Sequence, residues 1–128
     1  MTTKKQPTWK ARAIAALKDS IAHWKRIETG KLKRGESVDS EWCACCREFL
    51  GTVGAVCSQC PINLRTRRSC CTTPYDDLTD VFPWDIGRAA EMKLMRTLRV
   101  QQIAHRERLY LEQTLRMVQS GRIKPTPR

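Results

Sequence analysis

The apolar positions in the first third of the chain follow a helical period. Ile14, Leu17, Ile21 and Trp24 are spaced 3-4-3, which draws one stripe along a helix. They sit among Ala11, Ala13, Ala15, Ala16 and Ala22, the residue type with the highest helix propensity. Thr8, after Pro7, suits an N-cap, and Gly30 suits the left-handed C-cap position. Lys25 and Arg26 fall in the last turn, where they complement the helix dipole. The pattern predicts a helix over 8–29, preceded by a basic, disordered lead-in over 1–7.

The last third carries a second helical pattern. Val100, Ile103, Ala104, Tyr110, Leu111, Leu115, Met117 and Val118 share one face. Ile103/Tyr110/Met117 and Ala104/Leu111/Val118 recur every seven residues, as in a coiled-coil seam. A long C-terminal helix is therefore expected over 85–120, ended by Gly121, with a disordered tail over 121–128 that contains Pro125 and Pro127. Leu94, Met95 and Leu98 point off this face, so the helix either bends or touches two partners. The seam is expected to pack on the first helix. The alternative is a homodimer through the C-terminal helix.

Between the helices the periodicity lapses. Residues 30–41 read as a polar loop with two glycines, and 72–87 as an acidic connector interrupted by Pro74 and Pro83. Residues 42–75 hold all seven cysteines and the turn markers Gly51, Gly54 and Pro61, with one helical turn expected at Cys46–Leu50. The expected fold is mainly α: a single domain over 1–128, with two principal helices flanking an irregular Cys-rich zinc-binding module.

The cysteines carry the clearest chemistry. Cys43 and Cys46 form one C-x2-C pair and Cys57 and Cys60 another, ten residues apart, with Cys70 and Cys71 nine residues further on. A C-x2-C turn lets two thiolates converge on one ion, and two such turns close a tetrahedral sulfur shell around zinc. Cys43, Cys46, Cys57 and Cys60 are the favoured ligands. Cys70 or Cys71 could replace one of them, and Cys45 could replace Cys46. An iron–sulfur cluster is the rival cofactor. A closed shell is structural, and the chain has no H-E-x-x-H, Walker or deaminase pattern, so no enzymatic activity is expected. His23 and His105 fall within expected helices, and His23 beside Trp24 reads as a packing or surface residue more readily than as a stray ligand.

Charge adds a partner. The net charge of +11 divides unevenly: ten Lys/Arg against four Asp/Glu over 1–40, four against six over 41–87, and ten against three over 88–128. Basic flanks around a mildly acidic centre point to a polyanion, nucleic acid first and an acidic host protein second. Arg65, Arg67, Arg68, Arg96, Arg99, Arg106 and Arg108 are the candidate contact residues, with a solvated helix face as the plain alternative. No run reaches the ~18 apolar residues of a membrane span, and Met1-Thr-Thr-Lys-Lys lacks a signal peptide's apolar core. A cytoplasmic location is expected, where reduced cysteines bind metal.

Ser20-Ile-Ala-His-Trp24, Cys43-x2-Cys46, Cys57-x2-Cys-Pro61 and Cys70-x3-Pro-Tyr75 together resemble a group of small cysteine-rich proteins of tailed phages and prophages. In that group an S-I-x-H-W helix precedes C-x2-C, C-x2-C-P and C-x-G-T-P-Y, and the likeness spans roughly residues 20–75. The resemblance implies that Cys43, Cys46, Cys57, Cys60 and Cys70 are the patterned cysteines. This chain departs from it at Thr72, where a glycine is expected, and in its more basic C-terminal helix. Three roles follow as expectations: a phage-type accessory protein that binds nucleic acid without catalysis, an inhibitor or modulator of a host complex (RNA polymerase, a nuclease or a CRISPR-type defence effector), or a virion component.

Overall fold

The computed structural model describes residues 8–34, 36, 44–50, 60–66, 74, 77–78, 81–82 and 86–125. Five helices are found among them: α1 Trp9–Thr29, α2 Ala44–Leu50, α3 Pro61–Thr66, α4 Arg88–Leu94 and α5 Leu98–Gln119. No strand occurs among the described residues. The fold is mainly helical, with α1 and α5 packed along one another, α2 against α1 and α3 against α5.

The α1–α5 pair is built as a two-helix seam. Buried Ala13, Leu17, Ser20, Trp24 and Ile27 on α1 alternate by four and three residues, as do Val100, Ala104, Glu107, Leu111, Thr114 and Val118 on α5. That alternation keeps one face of each helix towards the other. Glu28, at the end of α1, bonds to His105 and Arg108 in the first half of α5, so the helices run antiparallel. The seam expected from the sequence is thus formed within the chain. Ile103, Ala104, Leu111 and Val118 are buried there.

Both long helices stop in the same way. At Gly30 (φ 72°) and Gly121 (φ 81°) the backbone turns left-handed, which a side chain would resist. Lys31 N–H then donates to Arg26 C=O and Gly30 N–H to Ile27 C=O, while Arg122 N–H donates to Met117 C=O and Gly121 N–H to Val118 C=O. This is the Schellman arrangement. At the other end of α1 the Thr8 hydroxyl accepts from Ala11 N–H, as its position implied.

Two expectations need correction. The helix over 85–120 is interrupted: α4 ends at Leu94, and Met95 N–H to Glu91 C=O, Arg96 N–H to Lys93 C=O and Thr97 N–H to Leu94 C=O tighten the last turn. The Thr97 hydroxyl donates to Leu94 C=O (2.7 Å) and accepts from Val100 N–H (3.4 Å), so one side chain closes α4 and opens α5. The break rotates Met95 to full burial, which answers the out-of-phase apolar residues seen in the sequence. Likewise, residues 121–125 are not a loose tail, because Ile123 turns back into the core after the glycine. Residues 1–7 and 126–128, also expected to be disordered, lie outside the described residues.

Candidate metal module and basic interface

The cysteine module is described only in part. Cys43, Cys57 and Cys70 lie outside the described residues, as do Cys71 and the side chain of Cys46. Cys45, on α2, is buried with Ala44 and Phe49 in the core, and Cys60, immediately before α3, is buried beside Ile62. Among the described residues no three His, Cys, Asp or Glu side chains converge on a common point. The fit to zinc therefore rests on donor chemistry. Cys60 is a shielded thiol at the head of a helix, and Cys45 faces the same core as the α1 seam, so α2 and α3 tie the module to both long helices.

Arg12 fastens α2 to α1 by an ion pair to Glu48, while its guanidinium lies over the Phe49 ring. Arg65 does the same for α3 on α5. Its guanidinium donates to Tyr110 C=O (3.1 Å), to the Thr114 hydroxyl (2.8 Å) and to Gln113 Oε1 (2.8 Å), and stacks 4.0 Å from the Tyr110 ring centroid. Burial pushes the Tyr110 hydroxyl upward in pKa, which keeps the ring neutral under that cation.

Two histidines organise the pair of long helices. His23 is buried on the α1 seam and donates Nδ1–H to Glu36, a fully buried carboxylate in the 30–41 segment. Glu36 also accepts from Arg26 Nη2 (2.7 Å) and from the Lys33 backbone N–H (2.9 Å). Burial alone would raise the Glu36 pKa, but the bonds from Arg26, Lys33 and His23 outweigh it and hold it at about 2. Burial lowers the His23 pKa, and the contrary pull of Glu36 does not cancel it, so the ring is neutral at pH 7. The Trp24 ring meets His23 edge-on, with centroids 5.2 Å apart.

His105 forms the second cluster, at the surface. It bonds to Glu28, which also accepts from Arg108, and Arg108 reaches Glu112 one turn on (2.7 Å). The bond from Arg108 is the main reason that the Glu28 carboxyl sits below its usual pKa.

Of the seven arginines singled out in the sequence, Arg67 and Arg68 lie outside the described residues. Arg65 and Arg108 are held by the chain itself, as above. Arg96, Arg99 and Arg106 are exposed, and Arg106 pairs with the equally exposed Asp77 at 3.0 Å. Arg99, Arg106 and Gln113, the anchor of Arg65, are seven residues apart and so share one flank of α5. Glu36 was missed by the sequence reading, which took its segment for a plain polar loop. Its signal was indirect: His23 lies next to Trp24 at the edge of the apolar stripe, and a histidine buried there needs a partner.

No family model, no curated protein and no solved structure matches the chain. No described helix is long and apolar enough to cross a membrane.

Proposed function

We propose that this chain is a small, non-catalytic accessory protein of the tailed-phage type, organised by one structural zinc and binding nucleic acid. The observation that supports the binding role is how the ionic groups are distributed. Glu28, Glu36, Glu48, Asp77 and Glu112 are each engaged by an arginine of the same chain. Arg96, Arg99, Arg116, Arg122 and Lys124 remain exposed and carry no ion pair among the described residues. These five carboxylates are neutralised at home while those five cations face outward, so the described part of α4, α5 and the segment after it presents positive charge to the surroundings. Such a surface attracts phosphate backbones without reading sequence, and its affinity falls steeply with salt.

Zinc enters through the paired C-x2-C motifs. Cys43, Cys46, Cys57 and Cys60 would hold it, with Cys70 as the substitute ligand. Bound as tetrathiolate, zinc supplies folding free energy rather than reactivity.

The test has two readouts on the purified full-length chain. Elemental analysis is expected to find one zinc per chain, with a lower melting midpoint after chelation or after Cys43→Ser with Cys46→Ser. Fluorescence anisotropy with labelled oligonucleotides is expected to show binding whose logarithm falls linearly with the logarithm of salt concentration. A metal-free chain that melts cooperatively and ignores chelator sinks the zinc reading. Co-purification of a host protein that survives nuclease, with no oligonucleotide binding, replaces nucleic acid by protein as the partner.

A further inference from the structure

Arg12, Ala16, Asp19, His23 and Arg26 alternate by four and three residues, so they share one flank of α1. That flank meets two other parts of the chain. At its start Arg12 pairs with Glu48 and lies over the Phe49 ring, and further along Ala16 and Asp19 line one groove with Ala44. The first residue of α2 therefore lies towards the His23 end of the flank and its later residues towards Arg12. At the far end Arg26 bonds to Glu36. His23 stands between these two levels, about 6 Å along the axis beyond Asp19. Residues 36 and 44 are thus both held on the flank that carries His23, and Cys43 is one peptide bond from Ala44.

We infer that His23 is a zinc ligand through Nε2, in place of one of the four thiolates assigned above, and that Glu36 orients it; both roles rest on the zinc reading. The bonding of the ring has the required form. Nδ1–H donates to the Glu36 carboxylate, and that proton leaves the lone pair on Nε2, across the ring. Glu36 is itself fixed by Arg26 Nη2 (2.7 Å) and the Lys33 N–H (2.9 Å). A carboxylate that takes one ring N–H sets the tautomer, aims the imidazole and makes the opposite nitrogen a better donor to a metal. A histidine that only filled space would not need a fully buried carboxylate brought in beside it. Three cysteines and one histidine are an ordinary structural shell for zinc. Such a shell also carries one negative charge fewer than a tetrathiolate, which makes it the easier neighbour for buried Glu36. Cys43 is the cysteine closest along the chain to the His23 flank, and the other two thiolates come from the rest of the module. One ion would then join α1, the segment around Glu36 and the cysteine module.

The experiment reads the ligand atoms directly. X-ray absorption at the zinc edge of the full-length, zinc-loaded chain separates Zn–N at about 2.0–2.1 Å from Zn–S at about 2.3 Å. Wild type is expected to show three sulfurs and one imidazole nitrogen. His23→Gln is expected to lose that nitrogen and to bind zinc more weakly, whereas His105→Gln, which removes the other histidine of the chain, keeps it. Glu36→Gln is expected to keep the nitrogen and to lower zinc affinity by roughly 10- to 100-fold, measured by competition with a chromophoric chelator. Should His23→Gln fail to fold, wild type and His105→Gln decide between the two histidines. Four sulfurs and no nitrogen in wild type overturn the assignment of His23 and leave the zinc reading standing. A nitrogen that survives His23→Gln, or that vanishes with His105→Gln, overturns it as well. Unchanged affinity in Glu36→Gln overturns the orienting role of Glu36. A chain that holds no zinc removes both readings at once.

Discussion

His23–Glu36–Arg26 and His105–Glu28–Arg108 are the same chemistry in two settings. In each, an imidazole Nδ1 and a guanidinium share one carboxylate contributed from another part of the chain. In the first, the Glu36 side chain is fully buried; in the second, His105 is about half exposed and Glu28 is 20% exposed. The difference teaches where a carboxylate matters to a fold. Water reaches Glu28 and His105 and can stand in for part of what they lose, but none reaches Glu36 or His23, whose lost partners nothing replaces.

The largest expected effect separates the two at once. Glu36→Ala leaves the Arg26 guanidinium, the buried His23 N–H and the Lys33 N–H without their acceptor, and should destabilise the fold by about 3–5 kcal/mol. Glu28→Ala should cost about 1 kcal/mol or less. Urea denaturation of both variants measures the contrast, and equal losses would break it.

Acid titration comes next. The folded Glu36 pKa is about 2 against an ordinary 4.5, so the unfolded chain binds the proton more readily. That stability is fully present above pH 4.5 and is lost as the pH falls through 2; it amounts to roughly 3 kcal/mol. His23 acts with the same sign, because its lowered pKa also makes the unfolded chain the better proton acceptor, and its loss begins below pH 6.5. Stability should therefore decline in two stages on acidification, and Glu36→Gln should abolish the later one. Melting midpoints across the pH series report this.

A smaller effect sharpens the comparison through screening. Raising salt to about 1 M shortens the Debye length to about 3 Å. A double-mutant cycle between Glu28 and Arg108 should shrink towards zero under that condition, while one between Glu36 and Arg26 should keep most of its value. Smallest of all, His105→Ala should shift stability by about 0.5 kcal/mol or less, against a clearly larger loss for His23→Ala, which also opens a space beside Trp24.

What the sequence disclosed follows the same divide between near and far. The caps at Thr8, Gly30 and Gly121 were legible because capping depends on neighbours a few residues away. The α1 and α5 faces were legible because burial imprints a period on the chain. Glu36 left no such imprint: it sits among Lys31, Lys33 and Arg34, and its partner His23 is thirteen residues upstream. Arg65 was singled out for its charge, yet it docks on a residue forty-five positions away, which no local pattern encodes. The α4–α5 break was visible as a phase error at Leu94 to Leu98, but only the double bonding of Thr97 located it.

The seam between α1 and α5 is not hydrocarbon throughout: Ser20, Glu107 and Thr114 occupy buried positions in its repeat. A repeat of pure leucine and alanine would let one rod glide past the other by seven residues and lock again. Here such a slip would carry Ser20 and Glu107 to layers built for other side chains. The three polar residues act as teeth on a ratchet, giving the two rods a single notch in which to rest, at some expense in raw adhesion.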